Sequence, residues 1–281
     1  MSQPTIAERA KTFAALHERE RLFVLPNAWD PGSAKILAAL GYEAIATTSA
    51  GFAFSRGRID YVGELSRNEA LEHARELIEA TNLPVSADLE DGFGTAPEAV
   101  AETIRMAGEA GLAGCTIEDT TGNRDAPIHD MALAVERVAA GVEAARGLGR
   151  DFALTARAEN FLHQRPDLDD TLNRLKAFEE VGADVLYAPG LPDLEAIRTI
   201  CEACSKPVNV VTGIGLKGVS LSELADVGVC RVSLGSSLAR VAIGATLAAA
   251  RVILQDGDLS DLSNAASFVE IEDLIRAGGA T

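Results

Sequence analysis

Short apolar runs alternate with helix-forming segments along nearly the whole chain. Eight runs rich in β-branched and other apolar residues lie at residues 22–25, 44–48, 84–87, 114–117, 152–156, 183–187, 208–211 and 231–234. Several are apolar on consecutive positions, as is typical of strands buried on both faces. Segments of helical composition follow them at residues 33–40, 69–80, 97–110, 132–146, 170–181, 193–204, 220–227 and 236–254. Several of these segments end at a glycine, which favours a helix C-cap there.

Eight strand-then-helix repeats predict an α/β fold, specifically a (β/α)8 TIM barrel formed by residues 1–281 as one domain. The competing open doubly wound sheet normally uses about five to seven strands. An extra helix is predicted at residues 5–20. A further amphipathic helix is predicted at residues 259–277, within a C-terminal extension over residues 259–281. Its apolar stripe needs a partner surface, either the bottom of the barrel or a neighbouring subunit.

Composition and charge exclude several classes of function. The 281 residues are 47% apolar, which rules out general disorder, and the net charge is −17. A nucleic-acid binder needs a basic face, which this chain lacks, and an acidic surface disfavours anionic lipid. The N-terminus has no apolar signal core, and the segment 238–254 with its two arginines is shorter than the roughly 20 residues of a membrane span. We therefore expect a cytoplasmic protein with reduced cysteines, no nucleic acid and no membrane.

Acidic residues concentrate where the third and fourth predicted strands end. They are Asp88, Glu90 and Asp91 after the third strand and Glu118 after the fourth, and Arg157 follows the fifth. Active sites of such barrels lie at these strand ends, and converging carboxylates require a compensating cation. Oxygen ligands favour Mg²⁺ or Mn²⁺, and the arginine would then pair with a substrate carboxylate or phosphonate. Alternatively, Asp91 caps the glycine turn, and Glu118 and Arg157 form an ion pair in the barrel mouth.

Other polar groups near the strand ends carry weaker signals. The Gly-Ile-Gly segment at residues 213–215 matches a phosphate cradle, although a simple turn is favoured. His129 and His163 follow the fourth and fifth strands and are expected near the mouth of the barrel. His17 and His73 lie on predicted helices and are expected at the surface.

The chain resembles the isocitrate lyase/phosphoenolpyruvate mutase superfamily over residues 22 to about 254. The resemblance rests on five segments: Pro-Asn-Ala-Trp-Asp at residues 26–30, Ala-Thr-Thr-Ser-Ala-Gly at 46–51, Ser-Ala-Asp-Leu-Glu-Asp-Gly-Phe-Gly at 86–94, Ile-Glu-Asp at 117–119 and Thr-Ala-Arg-Ala-Glu at 155–159. The acidic segment 86–94 is the most specific of them.

The resemblance implies a Mg²⁺ site in which Asp88 is the direct ligand, while Glu90 and Glu118 hold coordinated waters. Asp60 matches a further family carboxylate. The resemblance also implies that residues 48–50 hold the substrate carboxylate, through Thr48, Ser49 and Ala50, and that Arg157 grips the substrate. A last helix exchanged between the subunits of a homodimer or homotetramer is implied as well.

The loop at residues 119–129 departs from the family pattern. Family lyases that cleave isocitrate or methylisocitrate carry a lysine and a cysteine acid there, and this loop has neither. The mutases use a lysine and an asparagine, for which only Asn123 and Arg124 can stand in. A mutase aromatic residue is replaced by Ala46, and a mutase histidine falls at Pro189. The polar loop is expected either to close over the site as a lid or to be a passive surface loop.

These features predict a Mg²⁺-dependent carbon–carbon bond lyase or decarboxylase. The expected substrate is a small 2-oxo dicarboxylate similar to oxaloacetate, which reacts through a metal-stabilised enolate. One alternative is carbon–phosphorus chemistry of the phosphoenolpyruvate mutase or phosphonopyruvate hydrolase type. A second alternative is a non-catalytic barrel that binds oxoacids.

Overall fold

Eight parallel strands form the centre of the molecule. The computed structural model describes residues 3–60, 63–213, 216 and 218–280. The strands, in chain order β1 to β8, are Phe23–Leu25, Ile45–Ala46, Val85–Asp88, Gly114–Glu118, Ala153–Arg157, Val185–Tyr187, Val208–Val211 and Arg231–Ser233. In the sheet their order is β1-β8-β7-β6-β5-β4-β3-β2, and each described pairing is parallel.

Backbone contacts beyond the strand ends join β1 to β2 and close the barrel. Asn27 forms a parallel bridge with Ala46, and the Ala28 N–H donates to the Ala46 carbonyl at 2.7 Å. The Asn27 side chain donates to the Thr47 carbonyl at 2.6 Å and accepts from the Leu234 N–H at 3.0 Å. Asn27 therefore joins the ends of β1, β2 and β8 at the point where the barrel closes. The predicted (β/α)8 barrel is confirmed, and the open sheet is excluded.

Eleven α-helices are present among the described residues. In chain order α1 to α11, they are Ile6–Glu18, Pro31–Ala39, Ser49–Ser55, Arg67–Ala80, Pro97–Ala110, Met131–Arg146, Leu168–Glu180, Leu194–Ala203, Leu221–Asp226, Ser237–Asp256 and Phe268–Gly278. The helices predicted up to residue 254 all occur, with ends shifted by a few residues. Many begin at a side-chain cap, and Thr5, Ser66 and Ser220 each form a reciprocal capping box with a glutamate three residues later.

Helix α3 was not predicted from the sequence. We expected the small residues after the second strand to form a loop, but Thr48 caps a helix over Ser49–Ser55 by accepting from the Gly51 N–H at 3.2 Å. Helix α4 packs behind it, where the His73 ring stacks on Phe52 at a centroid distance of 3.9 Å. His73 is 3% exposed, so its expected surface position is wrong. His17 is half-buried and accepts a hydrogen bond from Arg231, because a guanidinium can only donate.

The C-terminal extension is not one helix. A 3-10 helix occupies Ser260–Asn264, and Ser267 then caps the separate helix α11. Helix α11 packs on α2 so closely that a Cβ at Gly278 would lie 1.8 Å from the Lys35 carbonyl oxygen. The Ala280 N–H also donates to the Ala80 carbonyl at 3.0 Å. The predicted helix over residues 259–277 is therefore wrong in its first half.

Helix α10 is mostly exposed. Of its 20 residues only Ala239 is buried, while Val241 and Leu254 are 68% and 87% exposed. The helix runs two residues beyond the predicted end at residue 254. By length and composition alone it qualifies as long and apolar enough to cross a membrane, with a mean hydropathy of 1.6. The expectation that this segment is too short and too charged is therefore wrong by that measure.

Candidate active site

A cavity of about 400 Å³ opens at the carboxyl ends of the strands. Its lining includes ten site residues predicted from the sequence: Thr48, Ser49, Ala50, Asp60, Asp88, Glu90, Glu118, Asn123, Arg124 and Arg157. Asp91 is not among the lining residues and instead accepts from the Phe93 N–H at 2.8 Å in the glycine turn, as the alternative interpretation predicted. These residues come from βα segments far apart in the chain. They converge because parallel strands present their carboxyl ends at one face of a barrel.

Arg157 lies at the centre of this cavity. The register of β4, β5 and β6 places Glu118, Arg157 and Tyr187 side by side. Arg157 Nη1 lies 2.8 Å from Glu118 Oε1 and 3.3 Å from Asp88 Oδ1, and Arg157 Nε donates to Glu159 Oε1 at 2.8 Å. The guanidinium carbon stands 4.8 Å from the centre of the Tyr187 ring. Burial acts to lower the pKa of Arg157, but Glu118 and Glu159 hold it well above its ordinary value.

Asp88 is fixed at the end of β3 by contacts from both neighbouring strands. Ser49 donates to Asp88 Oδ2 through its hydroxyl at 2.9 Å and its N–H at 3.3 Å. The Thr116 hydroxyl donates to Asp88 Oδ1 at 3.2 Å, and the Asp88 N–H donates to the Thr47 hydroxyl at 2.9 Å. The carboxylate thus has a set orientation before any ligand arrives.

The side chains of Glu90 and Glu118 have raised pKa values. Burial, together with the charges of Asp88, Asp91 and Asp60, raises the pKa of Glu90 to about 8. Burial also raises the pKa of Glu118 well above its ordinary range, although Arg157 acts against this. Glu90 adopts a left-handed backbone with φ of 49°, and its carbonyl accepts from the Glu118 N–H at 2.9 Å. The two glutamates are therefore linked through the backbone, and the crowding of acidic groups around them favours either protonation or a bound cation.

This donor set fits a hard divalent cation. The cavity lining holds five carboxylates, from Asp60, Asp88, Glu90, Glu118 and Glu159, against the arginines Arg124 and Arg157. Across the described part of the chain, no three histidine, cysteine, aspartate or glutamate side chains are grouped closely enough to ligate a metal directly. Mg²⁺ usually keeps several waters and takes one or two protein carboxylates. The residues fit a site of that kind, with Asp88 as the fixed carboxylate.

The start of α3 forms the wall opposite Arg157. Its first residues, Ser49 and Ala50, line the cavity, and Thr48 caps the helix from below. Asp60 lines the cavity after α3, where partial removal from water and the charge of Asp88 raise its pKa. The hydroxyl and N–H groups at the start of α3 thus lie directly beside the acidic side of the cavity, where Ser49 donates to Asp88.

The segment at residues 119–129 covers one side of the cavity as a narrow hairpin. Thr120 and Ile128 form an antiparallel bridge, and the Thr121 N–H donates to the Pro127 carbonyl at 2.9 Å. At its base Arg174 Nη1 donates to buried Asp119 at 2.9 Å. Gly122, Asn123, Arg124 and Pro127 of this hairpin line the cavity. The hairpin is thus positioned to act as a lid.

Several cavity residues were not assigned a role from the sequence. Further lining residues at or after the ends of strands five, six and eight are Glu159, Leu162, His163, Tyr187, Pro189, Gly235 and Ser236. The sequence feature that could have identified them is their position at or shortly after the end of a predicted strand. His129 is buried beside the hairpin base but is not among the lining residues. Of the proposed Gly-Ile-Gly phosphate cradle, Ile214 and Gly215 lie outside the described residues.

Comparison with known proteins identifies relatives along nearly the full length. The family model of phosphoenolpyruvate phosphomutase matches residues 13–254. The solved structure of a candidate lyase/mutase from Burkholderia cenocepacia J2315 is 50% identical, with a TM-score of 0.95 and 98% of each chain covered. An uncharacterized protein of Mycobacterium tuberculosis H37Rv is 31% identical over 263 residues, which cover 93% of this chain and 95% of the relative.

Relatives with named activities include lyases, decarboxylases and a phosphomutase. The oxaloacetate decarboxylase of Pseudomonas fluorescens Pf-5 is 25% identical over 284 residues, which cover 98% of this chain and 96% of the relative. The family match, the closed barrel and the acidic cavity with its central arginine agree with one another. The chain belongs to the isocitrate lyase/phosphoenolpyruvate mutase superfamily, and it is an enzyme of that group.

Proposed function

We propose that the enzyme is a Mg²⁺-dependent lyase or decarboxylase acting on a small 2-oxo dicarboxylate of the oxaloacetate type. The observation that carries this proposal is the composition of the cavity. One buried guanidinium, Arg157, stands among carboxylates, and the described lining residues include no lysine and no cysteine. Such a site can balance the charge of an enolate, but it lacks the cysteine acid expected of an isocitrate-cleaving enzyme.

Each wall of the cavity has a distinct part in this reaction. Asp88, Glu90 and Glu118 would hold Mg²⁺. Ser49 and Ala50 at the start of α3 would bind the substrate carboxylate, and Ser49 would exchange its hydrogen bonds to Asp88 for bonds to that carboxylate. When bound there, Mg²⁺ supplies Lewis-acid polarisation of a 2-oxo acid. Arg157 is oriented by Glu118, Glu159 and Asp88 before substrate binds, so it needs no reorganisation as negative charge develops on the 2-oxo oxygen.

Decarboxylation requires few catalytic groups beyond those that stabilise the enolate. Loss of CO₂ from C3 leaves an enolate at C2 and C3, and the leaving group needs no proton. The hairpin at residues 119–129 would exclude bulk water while the enolate exists. The oxaloacetate decarboxylase of Pseudomonas fluorescens, which aligns over 98% of this chain, supports this class of substrate.

Carbon–phosphorus chemistry is the second candidate, because the matching family model is that of a phosphomutase. A phosphonate group brings additional negative charge into the cavity. The described lining supplies only Arg124 and Arg157 as permanent cations against five carboxylates. Even with the two charges of a bound Mg²⁺, the positive charges do not exceed the carboxylates, so a singly charged substrate carboxylate suits the cavity better than a doubly charged phosphonate.

Substrate turnover separates the candidates. The enzyme would be incubated with oxaloacetate or with phosphonopyruvate, with Mg²⁺ or with a chelator, and followed by ¹³C and ³¹P NMR. We expect Mg²⁺-dependent formation of pyruvate and CO₂ from oxaloacetate above a protein-free blank. Formation of phosphoenolpyruvate or inorganic phosphate from phosphonopyruvate, without oxaloacetate turnover, would replace the proposal with the second candidate. Calorimetric binding of both oxoacids without turnover would instead identify a non-catalytic binding protein.

A further inference from the structure

The described lining residues of the cavity include a single imidazole, that of His163. Enolate chemistry on a 2-oxo dicarboxylate ends with a proton delivered to C3, and the lining residues that the structure describes include no cysteine or lysine to deliver it. Tyr187 also lines the cavity, but burial raises the pKa of its phenol far above neutrality. The position of His163 therefore bears directly on how the reaction finishes.

His163 is held in place from both sides. Its backbone N–H donates to the Glu159 carbonyl at 3.1 Å, and its ring Nε2 lies 3.2 Å from the Thr120 hydroxyl at the base of the hairpin. The preceding residue, Leu162, packs against Gly190 so tightly that a Cβ on that glycine would lie 3.2 Å from Leu162 Cδ2. The ring is thus anchored between the loops that follow β4, β5 and β6.

The hydrogen bonds of Thr120 determine which ring nitrogen is available. A hydroxyl has one proton to donate. Thr120 donates it to the Pro127 carbonyl at 3.1 Å, so the hydroxyl oxygen accepts from His163 Nε2–H. Nδ1 is then the nitrogen that gains and loses a proton, and it does so without breaking the bond to Thr120. Burial and the nearby Arg157 and Arg165 keep the pKa of His163 below its ordinary value, which favours release of that proton.

We propose that His163 is the catalytic proton donor, delivering the proton from Nδ1 to C3 of the enolate. In this step the Nδ1–H bond breaks, a C3–H bond forms with the electron pair of the enolate double bond, and the neutral imidazole recovers a proton from solvent. The assignment rests on the proposed function. Thr120 is the positioning residue that keeps the ring in one orientation.

The stereochemistry of protonation tests this assignment. The substrate would be 3-methyloxaloacetate, turned over in D₂O with Mg²⁺, and the 2-oxobutyrate product would be trapped by reduction and analysed for the configuration of its deuterated C3. We expect one configuration from the wild type and a racemic product from His163→Asn, with kcat lower by about 10² or more. The control is His129→Asn, because His129 Nε2 has no hydrogen-bond partner and its ring is not in the cavity lining. That variant should keep the wild-type configuration.

A stereospecific product from His163→Asn, or a racemic product from the wild type, would overturn the assignment while leaving decarboxylation intact. A separate measurement tests the role of His163 in the case that the enzyme does not decarboxylate oxaloacetate. Exchange of one C3 hydrogen of 2-oxobutyrate for deuterium would be followed by ¹H NMR without any decarboxylation step. Stereospecific exchange that is lost in His163→Asn would support His163 even if no CO₂ is released. Absence of exchange in a wild type that also releases no CO₂ would reject both.

Discussion

At the residue scale, Arg157 combines structural and chemical duties. Its three carboxylate partners lie on β3, β4 and the segment after β5, so one side chain joins three neighbouring βα units. The ion-pair interpretation of Glu118 and Arg157 is therefore confirmed, while the pairing of Arg157 with a substrate carboxylate stays a prediction. The ion pair between Glu118 and Arg157 exists, and the same guanidinium lines the cavity.

Arg157→Lys should lower kcat/KM by about 10²-fold or more, because a single ammonium cannot reproduce a planar fork that contacts Glu118 and Glu159 simultaneously. The matched control is Arg146→Lys, which alters an exposed ion pair with Asp184 and should leave kinetics near the wild-type values. Steady-state kinetics on oxaloacetate would measure both. Equal kcat/KM for Arg157→Lys and the wild type would restrict Arg157 to a structural role.

His73 gives a prediction about stability and pH. Burial lowers the pKa of His73 to about 4, against an ordinary value of 6.5. The unfolded chain therefore binds a proton that the folded protein does not, and stability falls as the pH drops from about 6.5 toward 4. Urea unfolding of His73→Gln should show a shallower loss over this range, by roughly 1–3 kcal/mol. Parallel stability curves for the two proteins would mean that His73 titrates normally in the fold.

At the scale of elements, the strand ends were predictable and helix α3 was not. Acidic residues after apolar runs place chemistry at the barrel mouth, because the carboxyl ends of parallel strands share one face. Helix α3 contains Gly51, which weakens a helix on local grounds. Its formation depends on the Thr48 cap and on close packing, since a Cβ at Gly51 would lie 2.5 Å from Thr48 Cγ2 and 3.1 Å from Trp29 Cβ. Local sequence does not contain these contacts.

The contact between His163 and Thr120 could not be predicted from the sequence for a similar reason. The two residues are 43 positions apart and belong to different loops. Whether a histidine after a strand lines the cavity, as His163 does, or is buried beside it, as His129 is, depends on how the loops fold over each other. Their position after a strand identifies both histidines as candidates, but it does not show which of them lines the cavity.

The hairpin at residues 119–129 should behave as a lid. Arg124→Ala should lower kcat several-fold while Mg²⁺ affinity, measured by calorimetry, stays within about twofold. Limited proteolysis within the hairpin should slow when an oxoacid is bound. Asp125→Ala is the control, since Asp125 is exposed on the same hairpin and is not among the cavity residues. Identical cleavage rates with and without ligand, together with unchanged kinetics, would leave the hairpin as a passive surface segment.

At the scale of the whole molecule, α10 and the C-terminal segment leave a large apolar surface open. Its exposed side chains include Val241, Leu247, Leu254, Phe268 and Val269. Exposed apolar patches of this kind mark interaction sites. We expect a second copy of the chain to cover the surface, as the superfamily resemblance implied, in a homodimer or homotetramer.

Sedimentation should therefore give a mass of two or four times 29.4 kDa at micromolar concentration. Deleting residues from Leu259 onward should lower that mass and the solubility, and Leu247→Glu should lower the mass. Leu221→Glu is the control, because Leu221 is 48% exposed at the start of α9 and belongs to neither α10 nor the C-terminal segment. A monomeric full-length protein would contradict the expected assembly.

The central claim, that Asp88 anchors a Mg²⁺ site for enolate chemistry, is tested most directly by CO₂ release from oxaloacetate. Initial rates would be measured against Mg²⁺ concentration for the wild type and Asp88→Ala, with a protein-free blank and with Asp125→Asn as a carboxylate control. We predict a saturable Mg²⁺ dependence for the wild type and the control. Asp88→Ala should lose at least about 10²-fold in turnover while its circular dichroism stays unchanged. Wild-type turnover and Mg²⁺ affinity in Asp88→Ala, or a wild-type rate equal to the blank, would contradict the claim.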